Sequence, residues 1–255
     1  MFLTAFSPSH PRRIISLVPS ITELLYNLDL SNEVVGITKF CVHPAEWYQT
    51  KEKIGGTKNV NTEKLRTLKP DLIIASKEEN IQEQVEALAK EFPVYLTDVN
   101  SYDTALQMIN DIGTITSKVT EAAILIKAIQ SEFESLKKLT QPINTIYLIW
   151  KDPYMTVGGD TFIHNLLHKV GLQNIFSNHS RYPQITLEDL AILNPQLVLL
   201  SSEPFPFKEK HILEIQAFLP AAKVILVDGE MFSWYGSRMQ LMPAYFNKLL
   251  AEITV

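Results

Sequence analysis

Two stretches of this chain carry the same residues in the same order. "TEKLRTLKPDLIIAS" spans positions 62–76 and "LEDLAILNPQLVLLS" spans 187–201. Glu63, Leu65, Leu68, Pro70, Leu72 and Ser76 recur as Glu188, Leu190, Leu193, Pro195, Leu197 and Ser201, each pair at one separation. A second echo joins "ELLYNLDLSN" (23–32) to "NLLHKVGLQN" (165–174), where Leu24, Leu25, Leu30 and Asn32 recur as Leu166, Leu167, Leu172 and Asn174. Its separation is wider, so an insertion containing "FCVHPAEWYQ" lengthens the first half. Echoes in one order within both halves predict two related lobes.

Each half alternates strand and helix patterns. "RIISLV", "EVVGI", "LIIAS" and "PVYLTDV" read as strands in the first half; "NTIYLIW", "LVLLSS" and "KVILVD" do so in the second. "LIIAS" is apolar without alternation, as in a strand covered on both faces. Helices fit "PSITELLYNL", with Ser20 and Glu23 spaced as a capping box, and "ENIQEQVEALAKEF". They also fit "FIHNLLHKV", "LEDLAIL", "EKHILEIQAFL" and "RMQLMPAYFNKLLAEI", with Ser237 as the N-cap of the last and Pro243 marking an irregularity. The alternation predicts an α/β fold of parallel sheets. Residues 101–140 keep helical apolar spacing and predict a long rigid linker helix between lobes 1–100 and 141–255.

A net charge of -5 argues against nucleic acid as a partner. Cys41 is the only cysteine, so no disulfide forms within the chain. No apolar run reaches the roughly 18 residues that span a bilayer, which predicts no membrane insertion. The opening "MFLTAFSPSHPRR" does not read as a secretory leader.

Two lobes predict a cleft faced by the loops after the strands. Those loops concentrate aromatic side chains. "KFCVHP" brings Phe40, Cys41 and His43, and "WKDPYMTVGGD" brings Trp150, Tyr154 and Met155. "SRYPQ" brings Tyr182, and "DGEMFSWYGSRM" brings Glu230, Phe232, Trp234, Tyr235 and Arg238. Rings with a few polar groups suit a large, partly flat ligand.

"RIISLVPSITELLYNL", "GGTKNVNTEKLRTLKPDLIIA" and "YPQITLEDLAILNPQLVLL" resemble the cobalamin-type substrate-binding proteins of ABC importers, within the helical-backbone metal receptor group. The resemblance runs from about Arg12 to the C-terminus. It implies two Rossmann-like lobes joined by a rigid linker helix, and a monomer that delivers a chelate from an interlobe cleft to a membrane permease. By the same resemblance, Phe40, Tyr154, Met155, Tyr182, Glu230, Phe232, Trp234 and Arg238 face the ligand, and Glu63 and Glu188 dock on the permease. The region before the "N-x-E" helix reads "GGTKNVN", without the aromatic of the cobalamin binder, so the ligand is open between cobalamin and another corrinoid. Periplasmic residence follows from the resemblance; a cytoplasmic corrinoid carrier or sensor is the alternative.

Other classes compete. Direct zinc or manganese binding needs converging ligands; His164 and His168, four residues apart on one helix, offer two. Haem and ferric siderophores are further chelates, and His43 with Cys41 could supply a lower axial ligand to a cobalt or iron macrocycle. No nucleophile elbow, phosphate-binding loop or HExxH motif is present, which predicts a binding protein with no intrinsic cofactor rather than an enzyme.

Overall fold

The computed structural model describes residue 1 and residues 10–254. Most of the opening stretch read for a leader lies outside them, as does Val255. Residues cluster into two units. One comprises Met1–Val99, Asp103–Gln130 and Trp234–Met239; the other comprises Asn100–Tyr102, Ser131–Ser233 and Gln240–Val255. Most of the expected linker therefore belongs to the first unit, and the last third of the chain returns to it briefly.

In the first unit β1 (Ile14–Ser16) leads into α1 (Pro19–Asn27) and β2 (Val34–Ile37). The helix begins at Val18 as N-cap, with Pro19 in the first turn, where its missing N–H forfeits no helical bond. The expected capping box does not form: Ser20 lies inside that turn, buried, and Glu23 is free for another role. Next come α2 (Ala45–Thr50), short strands β3 (Glu52–Lys53), β4 (Gly55–Gly56) and β5 (Asn59–Val60), and α3 (Thr62–Leu68). β6 (Leu72–Ser76), α4 (Gln82–Ala89) and β7 (Val94–Thr97) complete the α/β pattern. The sheet runs β3-β2-β1-β6-β7, all parallel. Every residue of β6 is buried, as its unbroken apolar run requires.

The predicted single linker helix is two. α5 (Tyr102–Ile115) and α6 (Val119–Glu134) are separated by a turn in which Ser117 is left-handed, at φ 58°. The Lys118 N–H closes that turn on the Gly113 carbonyl at 2.7 Å. A Cβ at Gly113 would stand 2.4 Å from the Ala122 Cβ, so glycine is what lets the two helices meet so closely.

The second unit repeats the plan. β8 (Ile143–Leu148), β9 (Tyr154–Met155), α7 (Phe162–Lys169), β10 (Leu172–Asn174), β11 (Gln184–Ile185) and α8 (Leu187–Leu193) come first. β12 (Leu197–Ser201), α9 (Glu209–Phe218), β13 (Lys223–Val227), α10 (Glu230–Ser233), a 3-10 turn at Ser237–Gln240 and α11 (Met242–Ile253) follow. The parallel sheet runs β10-β8-β12-β13, the order of β2-β1-β6-β7 in the first unit. The repeat extends to single dihedral angles. α3 ends at Lys69 with φ 46° and ψ 59°, and α8 ends at Asn194 with φ 45° and ψ 59°. A left-handed residue and then proline stop both helices, and a fully buried strand follows each.

Two sequence expectations change in the last helix. Ser237 is not its N-cap; α11 is entered from Leu241, after the 3-10 turn. Pro243 sits in the first turn of α11, so the irregularity lies just ahead of it. The strand β10, short and half polar, was not anticipated from the pattern.

Candidate ligand-binding site

Open α/β sheets bind ligands beyond the carboxyl ends of their strands. In the first unit the loop after β2 carries Phe40, 51% exposed. Its ring is flanked by the Lys39 ammonium, 5.1 Å from the centroid, and a Cβ at Gly56 would come within 3.1 Å of it. His43 is half-buried and meets the Trp234 ring edge-on at 5.5 Å. Cys41 points inward instead. It is fully buried, with its sulfur 3.1 Å from the Thr22 hydroxyl and 3.2 Å from the Thr38 hydroxyl. Burial raises its thiol above the ordinary value and so disfavours the thiolate that metal ligation requires. The axial-ligand expectation fails for Cys41 on that ground.

The segment Trp234–Met239 is fastened within the first unit by side chains. Arg238 Nε and Nη2 donate to the two carboxylate oxygens of Glu23 at 2.9 and 2.7 Å. Both side chains are largely buried, at 9% and 17% exposure. The guanidinium also lies 4.7 Å from the Trp234 ring centroid, a cation–π contact. Tyr235 hydrogen-bonds through its hydroxyl to Ser76 Oγ at 2.9 Å, and Asn27 Nδ2 donates to Ser237 Oγ at 3.1 Å. Arg238, expected to hold the ligand, is thus a buried partner of Glu23, and Trp234 is 6% exposed. Glu23 was not singled out from the sequence; its spacing from Ser20 read as a helix cap.

In the second unit Phe232 is fully buried, its ring 4.9 Å from those of Tyr147 and Phe246. It belongs to the core and has no surface to offer. Tyr154 is also buried: its hydroxyl donates to Glu214 at 2.9 Å, and Glu214 accepts Lys151 Nζ at 2.6 Å. Burial first, and then Glu214, push the Tyr154 phenol up to about 12, so it stays protonated near neutral pH. Met155 and Tyr182 are half-buried; Met155 pairs with Gln184 across β9 and β11, and the Arg181 guanidinium lies 5.7 Å from the Tyr182 ring.

Two more aromatics follow strands of this unit: Trp150, named above only as a loop ring, and Phe205, which was not singled out. Trp150 follows β8 and is 40% exposed. Its ring is 5.9 Å from Phe205, which follows β12 and packs 4.8 Å from Phe207. The sequence signal was present in "SSEPFPF", two rings set among prolines directly after a buried strand. Behind them His211 is buried, and its Nδ1 accepts the Lys208 N–H at 2.8 Å, so its proton sits on Nε2. Ser202, Glu203, Phe207, Leu226, Asp228 and Glu230 line an open recess of about 580 Å³ at the carboxyl ends of β12 and β13.

A family model described as "Periplasmic binding protein" matches residues 14–223. The chain belongs to this family of ABC-importer substrate-binding proteins. The substrate-binding lipoprotein YvrC of Bacillus subtilis, itself uncharacterized, is 29% identical over 74% of this chain and 63% of its own length. A vitamin B12-binding protein of Pectobacterium carotovorum is 26% identical over 91% of this chain and 85% of its own. Among solved structures, the periplasmic vitamin B12-binding protein of Vibrio cholerae has a TM-score of 0.77 at 22% identity, covering 96% of this chain and 98% of that one. The periplasmic heme-binding protein of Roseiflexus sp. RS-1 reaches 0.81 at 20%, covering 95% and 98%. At these identities the structural likeness establishes the fold and leaves the ligand to the site.

The metal-ion rival receives little support from this binding protein's side chains. Among the described residues no three His, Cys, Asp or Glu groups converge as ligands. His164 is half-buried, with its Nδ1 3.3 Å from Asn174 Nδ2, while His168 is exposed. Among the described residues, no helix is long and apolar enough to cross a membrane.

Replacing Glu23 with alanine leaves the Arg238 charge buried without its carboxylate and should lower stability by about 3 kcal/mol in urea unfolding. The same variant should alter Trp234 fluorescence, since the ring loses its fixed cationic neighbour. Acid should weaken the fold through His211. Burial, followed by Lys210 and Lys151, lowers its pKa below the ordinary value of 6.5. The unfolded chain then takes up the proton more readily, so this contribution is intact above about pH 6.5 and is lost as pH falls below it. The urea midpoint should drop between pH 7.5 and 5.5, and by less in a His211→Gln variant.

Proposed function

We propose that this protein binds a large, partly flat metal chelate, a corrinoid in the first instance, and delivers it to an ABC permease. The observation that carries the reading is the placement of exposed aromatic side chains just beyond strand carboxyl ends in both units. Phe40 follows β2 and Trp150 follows β8, both exposed, with the half-buried Phe205 after β12 behind Trp150. Rings on rigid strand ends give apolar area at low entropic cost, as a planar macrocycle needs. His43, Met155, Tyr182 and Glu230, all half-buried, complete the proposed ligand set. The curated relatives named as vitamin B12-binding proteins favour the corrinoid among chelates. Residence outside the cytoplasmic membrane accords with those relatives and with the lipoprotein of Bacillus subtilis.

Docking on the permease falls to Glu63 and Glu188. They occupy equivalent first turns of α3 and α8, and both are exposed. Glu63 bonds to Arg66 one turn on, a surface contact that a partner's arginine could replace at little cost. Such charges act on orientation and association rate more than on affinity.

Calorimetric titration with cyanocobalamin, cobinamide, haem and a ferric siderophore should give tight binding to the two corrinoids, with quenching of tryptophan fluorescence. Tight haem binding with none to corrinoids would move the reading to haem; binding to none of the four would defeat it. Reversing charge at Glu63 and Glu188 to lysine should abolish ligand-dependent transport in permease vesicles while corrinoid affinity in solution stays within about twofold. Transport at the wild-type rate would remove both residues from the docking role.

A further inference from the structure

In the first unit the ring that stands open already carries a cation. Phe40 follows β2 at 51% exposure, and the Lys39 ammonium lies 5.1 Å from its centroid. Both side chains rest on one glycine: a Cβ at Gly56 would come 3.1 Å from Phe40 Cε2 and 3.5 Å from Lys39 Cε. Gly56 belongs to the hairpin of β4 and β5, whose turn is Thr57 and Lys58. The backbone ties loop and hairpin together, since the Lys39 N–H donates to the Gly55 carbonyl at 2.8 Å. Asn80, just after β6, fixes the hairpin to the strand ends. Its Nδ2 donates to the Thr57 carbonyl at 2.9 Å, and its Oδ1 accepts the Ser76 N–H at 2.9 Å. Gln84 on α4 holds the turn as well, donating to the Lys58 carbonyl at 3.0 Å. Lys64, Lys77, Lys118 and Lys151 are each paired with a carboxylate. Lys39 and Lys58 are both exposed, and among the described residues neither ammonium has such a partner.

A ring in this position is not a neutral surface. A flat ligand set against Phe40 covers Lys39 as well, and an ammonium taken out of water without a counter-ion is costly. The cation–π contact is a weak compensation at an exposed site. The negative charge must then come with the ligand, in a charge-assisted hydrogen bond. We propose that Lys39 and Lys58 make this corner an anion-accepting subsite, which takes a phosphate or carboxylate at the ligand's edge while Phe40 takes its apolar face. The proposal rests on the chelate reading above and deepens it, because it sorts the candidate ligands by charge. A corrinoid with the phosphate of the nucleotide loop satisfies the subsite, and the bare cobinamide core does not. In a haem the propionate carboxylates would serve. Mobile lysine ammonium groups at an exposed turn act as point charges, so the discrimination should depend on salt.

The test uses ligands that differ at one group. Dicyanocobinamide and its phosphate monoester are titrated into the full chain and into a Lys39→Gln/Lys58→Gln double variant, with a thermal melt to check the fold. The wild-type chain should bind the phosphate about tenfold more tightly, and the gap should narrow at high salt. In the double variant it should fall to about threefold or less, and Lys39→Arg/Lys58→Arg should restore it. Haem and its dimethyl ester form a second pair. A gap there that the double variant closes, with none between the cobinamides, upholds the subsite with a propionate as its anion. Equal binding within both pairs, or a gap undiminished in the double variant, overturns the subsite and leaves the chelate reading standing. Binding of none of the four ligands defeats the chelate reading and the subsite together. Should the double variant fail to fold, Lys58→Gln alone and the salt dependence of the wild-type ratio decide.

Discussion

A parallel strand buried on both faces constrains everything around it. β6 and β12 expose none of their five residues, so each needs paired strands on either side and helices over both faces. That demand explains why the two units share a strand order, and why the clearest sequence echo covers these strands and the helices before them. It also fixes how the preceding helix ends. Lys69 and Asn194 adopt the left-handed conformation, and Pro70 and Pro195 follow, so the chain turns sharply from helix to buried strand. The same constraint puts the following loops at the carboxyl ends of the strands, where Trp150, Phe205 and the carboxyl groups of the recess collect.

The stretch "DGEMFSWYGSRM" divides between the units, and its residues divide in role. Phe232 serves the core of the second unit. Trp234, Tyr235, Ser237 and Arg238 are held within the first by an ion pair, two hydrogen bonds and one ring contact. Glu230 remains half-buried at the recess. A segment that looked like a set of ligand contacts is therefore largely a fastening, and the Glu23–Arg238 pair is its strongest element. A buried ion pair of this kind specifies one arrangement over others more than it adds stability, because desolvation offsets much of its attraction.

Several sequence expectations failed for one reason: burial is a property of the assembled fold. Cys41, Tyr154 and Phe232 lie in loops or strand ends with ring or thiol chemistry suited to a ligand, yet each faces inward. The linker pattern predicted one helix because apolar spacing continues through the break; only the left-handed Ser117 and the close approach of Gly113 to Ala122 reveal two. Glu23 was misread because a local cap and a distant arginine compete for the same carboxylate, and local spacing shows only the first.

What the sequence determined by itself was the α/β class, the repeat, the places of most strands and helices, and the clustering of aromatic residues after strands. These depend on periodicity, chain connectivity and turn chemistry, which are written along the chain. The tertiary structure alone decided which side chains of those loops are core, which are fasteners and which stand open to a ligand. Inward and outward positions in an irregular loop follow no period, so packing between residues far apart in sequence, such as Glu23 with Arg238 or Phe232 with Tyr147, sets them.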